Sequence, residues 1–221
     1  MSRTAVENVA GLGIFSFPEA SKLTGLDPRR VRRWFGADGR KAAFRAEFHS
    51  PSGRDALSFL DLIDVLVAGK LREKGVSFQS LRRAYRNLQR KFGTEHAFCF
   101  RSMWTDGKTV FLEEMLQQGE AKLVDMEHRQ LVLTRVLQPY LEEIEYDDKE
   151  IANRWNIYDG VVVDPALNFG SPTLEDAGIS SYVVAASYAA NGNDAEKVAA
   201  WYDIGPDVVR KAVEFERAVA A

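Results

Sequence analysis

Arg29, Arg30, Arg32 and Arg33 crowd a five-residue span. Like charges packed this tightly cost helix stability unless an anion offsets them. The chemistry they suit is binding to a polyanion. Arg40, Lys41, Arg45 and Arg54 follow close behind and extend the cationic stretch. Other candidate chemistry is thin. Glu142-Glu143-Ile144-Glu145-Tyr146-Asp147-Asp148 is a dense acidic run. Paired carboxylates can hold a metal or move protons, but no histidine lies nearby in sequence, and the run reads as a solvated helix end and linker. His49, His96 and His128 are scattered, with no metal-ligand spacing between them. Cys99 sits between Phe98 and Phe100 in an expected apolar strand, where a buried thiol is inert. Gly11-Leu12-Gly13 is not followed by a phosphate-binding pattern. No nucleophile elbow or P-loop is present. These residues argue against an enzyme and imply neither cofactor nor metal.

The elements that must position the arginines are legible around them. Asp27 is placed to cap a helix, and Pro28 suits its first turn, where no N–H is needed. Val31, Trp34 and Phe35 then share one apolar face. Upstream, Ser16 and Glu19 have capping-box spacing, Ala20, Leu23 and Leu26 supply a buried side, and Gly25 ends that helix. Helix, Gly-containing turn and helix is the pattern whose second helix enters the DNA major groove. Alternating apolar residues then flank Ser50-Pro51-Ser52-Gly53, which predicts a β-hairpin. Amphipathic helices are expected from Leu60 to Lys74 and from Phe78 to Phe92. The second of these carries Arg82, Arg83, Arg86, Arg90 and Lys91 on its outer face.

A further hairpin is expected around Asp106-Gly107, and helical pattern over residues 121–159, with Leu131, Leu133, Val136, Leu137, Tyr140, Leu141 and Ile144 at helical spacing. Val161-Val162-Val163 reads as a buried strand. Helices are then expected from Ile179 to Ala190, from Ala195 to Tyr202 after an Asp194 cap, and beyond Gly205-Pro206. The expected fold is mainly α with β-hairpins, α+β. Its domains are a winged helix-turn-helix over residues 1–95, a dimerising hairpin and helix over 96–157, and a small helical domain over 158–221.

Charge divides the same way. Residues 1–95 hold 18 Lys+Arg against 10 Asp+Glu, or +8, and the rest hold 11 against 22, or −11, which sum to the net −3. The basic half favours nucleic acid. Residues 160–221 carry 4 Lys+Arg and 9 Asp+Glu, net −5, which phosphate would repel, so their helix-turn-helix spacing suits a protein contact. The single cysteine excludes an internal disulfide. No apolar run approaches the roughly 18 residues of a membrane helix, and the N-terminus lacks a signal-peptide pattern. The expected location is the cytoplasm.

Phe17-Pro18-Glu19-Ala20-Ser21-Lys22-Leu23-Thr24-Gly25, the arginine helix, the hairpin and Gly75-Val76-Ser77-Phe78-Gln79-Ser80-Leu81-Arg82 together resemble the winged helix of MerR-type regulators. The resemblance covers about residues 15–92. It implies DNA contacts from Arg29, Arg30, Arg32 and Arg33, and wing contacts from Arg40, Lys41 and Arg45. Val163-Asp164-Pro165, Phe169-Gly170-Ser171-Pro172, Asp176-Ala177-Gly178-Ile179 and Glu196-Lys197-Val198-Ala199 resemble a small helical domain that occurs in antitoxins paired with PIN-like ribonuclease toxins. Joined in this order, the two resemble larger VapB-type antitoxins. The implied function is that of a type II antitoxin that neutralises a PIN-like toxin and binds operator DNA to repress its own expression, as a homodimer within a larger toxin–antitoxin complex. Asp164, Phe169, Pro172, Arg210, Lys211 and Arg217 are the implied toxin contacts. The alternative is a stand-alone MerR-like regulator that senses a small molecule between Trp104, Phe111 and Tyr140.

Overall fold

The computed structural model describes residues 11–36, 42–48, 55–103, 111, 117, 124–125 and 130–220, with the backbone alone for 124–125 and 130–136. The protein is mainly helical, with a four-stranded antiparallel sheet. The chain divides into two compact units. One runs from Ser16 to Ala152, and the other joins the N-terminal segment through Phe15 to Asn153–Ala221. Among the described residues no helix is long and apolar enough to cross a membrane.

The larger unit opens with α1 (Phe17–Thr24) and α2 (Pro28–Trp34). The capping box forms as expected: Glu19 N–H donates to Ser16 Oγ at 3.3 Å, and Ser16 N–H donates to Glu19 Oε2 at 2.7 Å. Gly25 closes α1 in the left-handed region at φ 69°, a conformation that favours a residue without Cβ. α3 (Phe59–Glu73) and α4 (Phe78–Phe92) follow, capped by Ser58 and Ser77. Next come a 3-10 turn (Ala97–Cys99), a short ribbon of β1 (Val124–Asp125) and β2 (Gln130–Leu131), and α5 (Val132–Glu142). α1 packs against both α2 and α3, and an aromatic row runs from α2 to the 3-10 turn. Trp34 stacks on Phe78 at 6.3 Å between ring centroids, Phe44 meets Tyr85 at 4.7 Å, and Tyr85 meets Phe98 at 4.9 Å.

Several expectations change here. The hairpin after α2 is represented among the described residues by one antiparallel bridge, Phe48 to Ala56. Its arm is not a regular strand, because Ala43 and Phe44 turn back to donate to the Trp34 carbonyl at 2.8 and 3.2 Å. Its tip lies outside the described residues. Cys99 is in the 3-10 turn rather than a strand. The cause is a polar anchor that periodicity does not register: Phe98 N–H donates to the Asp64 carboxylate at 3.1 Å and winds the backbone around it. Phe100 pairs instead with Ile151. The Asp106-Gly107 turn lies outside the described residues. The helical pattern expected over 121–159 gives way to strands at Ile144–Tyr146 and Ala152–Tyr158, so the acidic run is not a helix end and linker throughout. After α5 ends at Glu142, Ile144–Tyr146 forms β3, and Asp147 Oδ1 closes the following turn by accepting from Lys149 and Ile151 N–H, both at 2.9 Å.

The strand order is β3-β4-β5-β6, with β4 (Ala152–Tyr158), β5 (Val161–Val163) and β6 (Thr173–Leu174). β4 and β5 join through Asp159-Gly160, with Tyr158 opposite Val161 and Trp155 opposite Val163. All of β5 is buried, as its apolar run requires. In the smaller unit α6 (Ser181–Ala190), α7 (Ala195–Tyr202) and α8 (Pro206–Ala220) pack together, with α8 also against β5. α6 starts two residues later than expected, because Ile179 gives its carbonyl to Leu174 N–H at 2.8 Å and Ser180 bridges to Thr173. Within this unit Ile14 N–H donates to the Phe169 carbonyl at 2.9 Å. Gly170, at φ +86°, leaves the space in which a Cβ would stand 2.6 Å from Phe15 Cζ. Residues 13–15 are therefore docked against the Phe169-Gly170 turn.

Candidate nucleic-acid interface and partner-binding face

The arginine helix is positioned by its cap and by its two buried residues. Asp27 Oδ1 accepts from Arg29 N–H at 2.8 Å and Arg30 N–H at 3.1 Å. Those bonds satisfy two of the N–H groups that a helix start leaves open. Val31 and Trp34 are buried, while Arg29, Arg30, Arg32 and Arg33 are all exposed. Val31 and Trp34 lie three apart, so one stripe of α2 faces the core and the arginines fan over the remaining surface. The Arg32 guanidinium lies 5.8 Å from the Phe17 ring centroid. At this range the ring face restrains the cation without neutralising it. Phe35 is half-buried and completes a cluster with Phe17 and Phe44, both at 5.6 Å.

Of the expected wing cations, Arg45 is exposed. Arg40, Lys41 and Arg54 lie outside the described residues. On α4, Arg83, Arg86, Arg90 and Lys91 are exposed and Arg82 is half-buried. Arg90 bonds along its own helix to Asn87 and to the Arg86 carbonyl.

The same unit holds a polar cluster that sequence reasoning missed. Asp64 on α3 is 1% exposed. Its Oδ2 accepts from Tyr85 Oη at 2.6 Å and faces His96 Nδ1 at 3.0 Å, while Oδ1 accepts from Phe98 N–H. Asp61, one turn earlier, accepts from Ser58 N–H and Glu47 N–H, both at 3.0 Å. One carboxylate thus caps α3 and holds the segment that leads to the Phe48 bridge. Burial lowers the proton affinity of His96, but the Asp64 hydrogen bond and the surrounding carboxylates outweigh it and raise the pKa to about 9. Burial pushes Asp61 up to about 6 against its backbone hydrogen bonds. Burial and Asp64 also push the Tyr85 hydroxyl and the Cys99 thiol up. Asp61 and Asp64 amid an apolar helix were the available sequence signal, since a buried carboxylate requires partners.

The smaller unit offers a different surface. α6 carries no charged side chain, yet only Ser181 and Val184 on it are buried. Tyr182 is 67% exposed and Val183 43%, and on α7 Trp201 is 56% exposed. A helix that is apolar all round is ordinarily covered. Phe169 is 64% exposed, with its backbone at φ 55°, ψ 28°. That left-handed conformation is strained for an aromatic residue. It is held in place by Asn168, whose Nδ2 donates to Thr173 Oγ1 at 3.0 Å and to the Gly178 carbonyl at 3.1 Å.

Other expected partner contacts have local roles. Asp164 accepts from Ala166 N–H at 2.8 Å, and the Pro172 carbonyl accepts from Ser181 N–H at 3.0 Å. Arg210 pairs with Asp207 at 2.8 Å and Lys211 with Asp159 at 2.7 Å, both as surface pairs, and Arg217 is exposed. Of the residues proposed to line an effector pocket, Trp104 lies outside the described residues, Phe111 is buried, and Tyr140 carries the Lys70 ammonium 4.6 Å from its ring centroid.

No protein-family model matches the chain, and neither does any curated protein. A solved structure does: Rv2018 of Mycobacterium tuberculosis, with a TM-score of 0.74, over 90% of this chain and 96% of that one, at 24% identity. The chain has the fold of Rv2018. At that identity the likeness speaks for architecture, the helical body with its four-stranded antiparallel sheet, and not for activity.

Proposed function

We propose that the chain is an antitoxin: a winged helix-turn-helix of the MerR kind that binds operator DNA, coupled to a C-terminal unit that binds and silences a PIN-like ribonuclease toxin. The observation that carries the DNA half is α2. A left-handed glycine turn follows a fully capped helix, and the second helix is capped by Asp27, buried through Val31 and Trp34, and presents four exposed arginines. The antiparallel Phe48–Ala56 bridge that follows α2 supports the reading of a wing. Cations so arrayed bind through counterion release, which makes affinity fall steeply with salt.

The partner half is supported by the uncharged face of α6, the exposed Trp201 and the strained, exposed Phe169. Aromatic anchors on an apolar face are what a protein contact uses, and the net −5 over residues 160–221 favours a basic partner over nucleic acid. Two experiments test the two halves separately. Arg30→Ala/Arg33→Ala is expected to weaken binding to the chain's own promoter region and reduce the salt slope by roughly 2, about one for each arginine–phosphate pair removed. An unchanged gel shift and slope would refute the DNA assignment. Co-expression with the neighbouring gene product should give a complex that survives purification, and its absence would refute the antitoxin assignment.

A further inference from the structure

The Asp64 cluster holds three different ligand chemistries in one largely buried place: a carboxylate, an imidazole and a thiol. We propose that Asp64, His96 and Cys99 form a site for a divalent transition metal, with zinc the best match. Their ligand atoms all lie within 4.8 Å of one another, contributed by α3 and by the turn His96–Cys99. Zinc bonds of about 2.0–2.3 Å in a tetrahedron place neighbouring ligand atoms roughly 3.4–3.6 Å apart. Asp64 Oδ2 and His96 Nδ1, now 3.0 Å apart, need to open by about half an ångström on that geometry. The Cys99 thiol, which donates to the Leu60 carbonyl at 3.2 Å, turns from that oxygen toward the metal.

The surroundings fit a metal in three ways. His96 Nε2, the nitrogen left over, faces Glu47 Oε2 at 3.7 Å. A carboxylate on the far side of a ligating imidazole is the usual outer support of such a site. Asp64 is held in orientation by Phe98 N–H and Tyr85 Oη. Asp61 Oδ1 stands 3.9 Å from His96 Nδ1 but is not among the ligand atoms that all lie within 4.8 Å of one another.

Charge is the third fit. A dication with one carboxylate, a neutral imidazole and a thiolate sums to zero, so the loaded site buries no net charge and avoids the desolvation cost of doing so. The protons displaced from imidazole and thiol on binding go to solvent. The mixed N, S and O set favours zinc-like ions over magnesium or calcium, which take oxygen.

The test is a cobalt(II) titration of the full chain after chelator treatment. One equivalent should produce thiolate-to-cobalt charge-transfer absorption in the near ultraviolet, and zinc should displace it. Cys99 is the only cysteine, so the band has one possible source and Cys99→Ser must abolish it. Glu47→Gln, which leaves all three ligands in place, should weaken zinc binding roughly 10–100-fold. Zinc should raise the melting temperature of the parent while magnesium does not. A folded parent that shows no charge-transfer band, or equal thermal shifts with zinc and magnesium, would overturn the assignment and leave the cluster a plain ion pair.

Discussion

Replacement of Asp64 is expected to be the most damaging single change in the larger unit. The carboxylate is 1% exposed and receives three groups: Tyr85 Oη at 2.6 Å, His96 Nδ1 at 3.0 Å and Phe98 N–H at 3.1 Å. In Asp64→Ala these lose their acceptor in a space with little access to water. Tyr85 recovers in part, because its hydroxyl also lies 2.6 Å from the Glu95 carbonyl. His96 does not recover, since its remaining carboxylates stand at 3.7 and 3.9 Å. Breaking a buried charge pair from one side costs about 3–5 kcal/mol, and an orphaned N–H costs about 1–3 kcal/mol. The two overlap, so the expected loss is about 4 kcal/mol, of the order of 10–20 °C in melting temperature. Asp64→Asn keeps an acceptor for Phe98 but removes the counter-charge of His96, and should lose about half as much. Urea unfolding with a chelator present, followed by circular dichroism, measures both. Hydrogen exchange at the Phe98 amide locates the damage. A double-mutant cycle with His96→Ala should return a coupling of about 1–3 kcal/mol. A loss under about 1 kcal/mol for Asp64→Ala, with Phe98 still protected, would refute the account of this carboxylate as the acceptor that holds α3, α4 and the 3-10 turn together.

Three further outcomes are expected. Asp27→Ala removes the acceptor for Arg29 and Arg30 N–H and should cost about 1 kcal/mol, with DNA affinity falling in parallel; thermal melts and gel shifts check both. Gly69→Ala on α3 gains helix propensity, but its Cβ would stand 2.7 Å from Leu26 Cδ1 and 3.2 Å from Cγ, so a net loss of about 1–2 kcal/mol is expected, relieved when Leu26→Ala is added. Val183→Glu places a charge on the exposed face of α6. It should leave the melting temperature within about 2 °C, since exposed substitutions stay within roughly 0.5 kcal/mol, while abolishing recovery of the partner in co-purification.

The elements around the arginine helix were written locally. Ser16 and Glu19 close a capping box three residues apart, Gly25 supplies a left-handed turn, Asp27 caps its own helix, and Val31 and Trp34 share a stripe by helical periodicity. Each is an interaction within four residues, so spacing alone carries it. β5 and the Asp194 cap of α7 were legible for the same reason. Where a distant partner decides the outcome, spacing fails. The acidic run became a strand and a turn because Ile144–Tyr146 found a place in a sheet. Cys99 left the strand pattern because Phe98 N–H bonds to a carboxylate 34 residues away.

The sequence by itself determined which helix carries the arginines and which of its faces is free, because caps and periodicity are short-range. Only the tertiary structure decided that Asp61, Asp64, Tyr85, His96 and Cys99 converge between α3, α4 and the 3-10 turn. No segment of the chain contains their neighbourhood: a carboxylate on α3 collects donors from α4 and from beyond it. A buried charge chooses its partners by proximity in space, and chain separation is no guide to that.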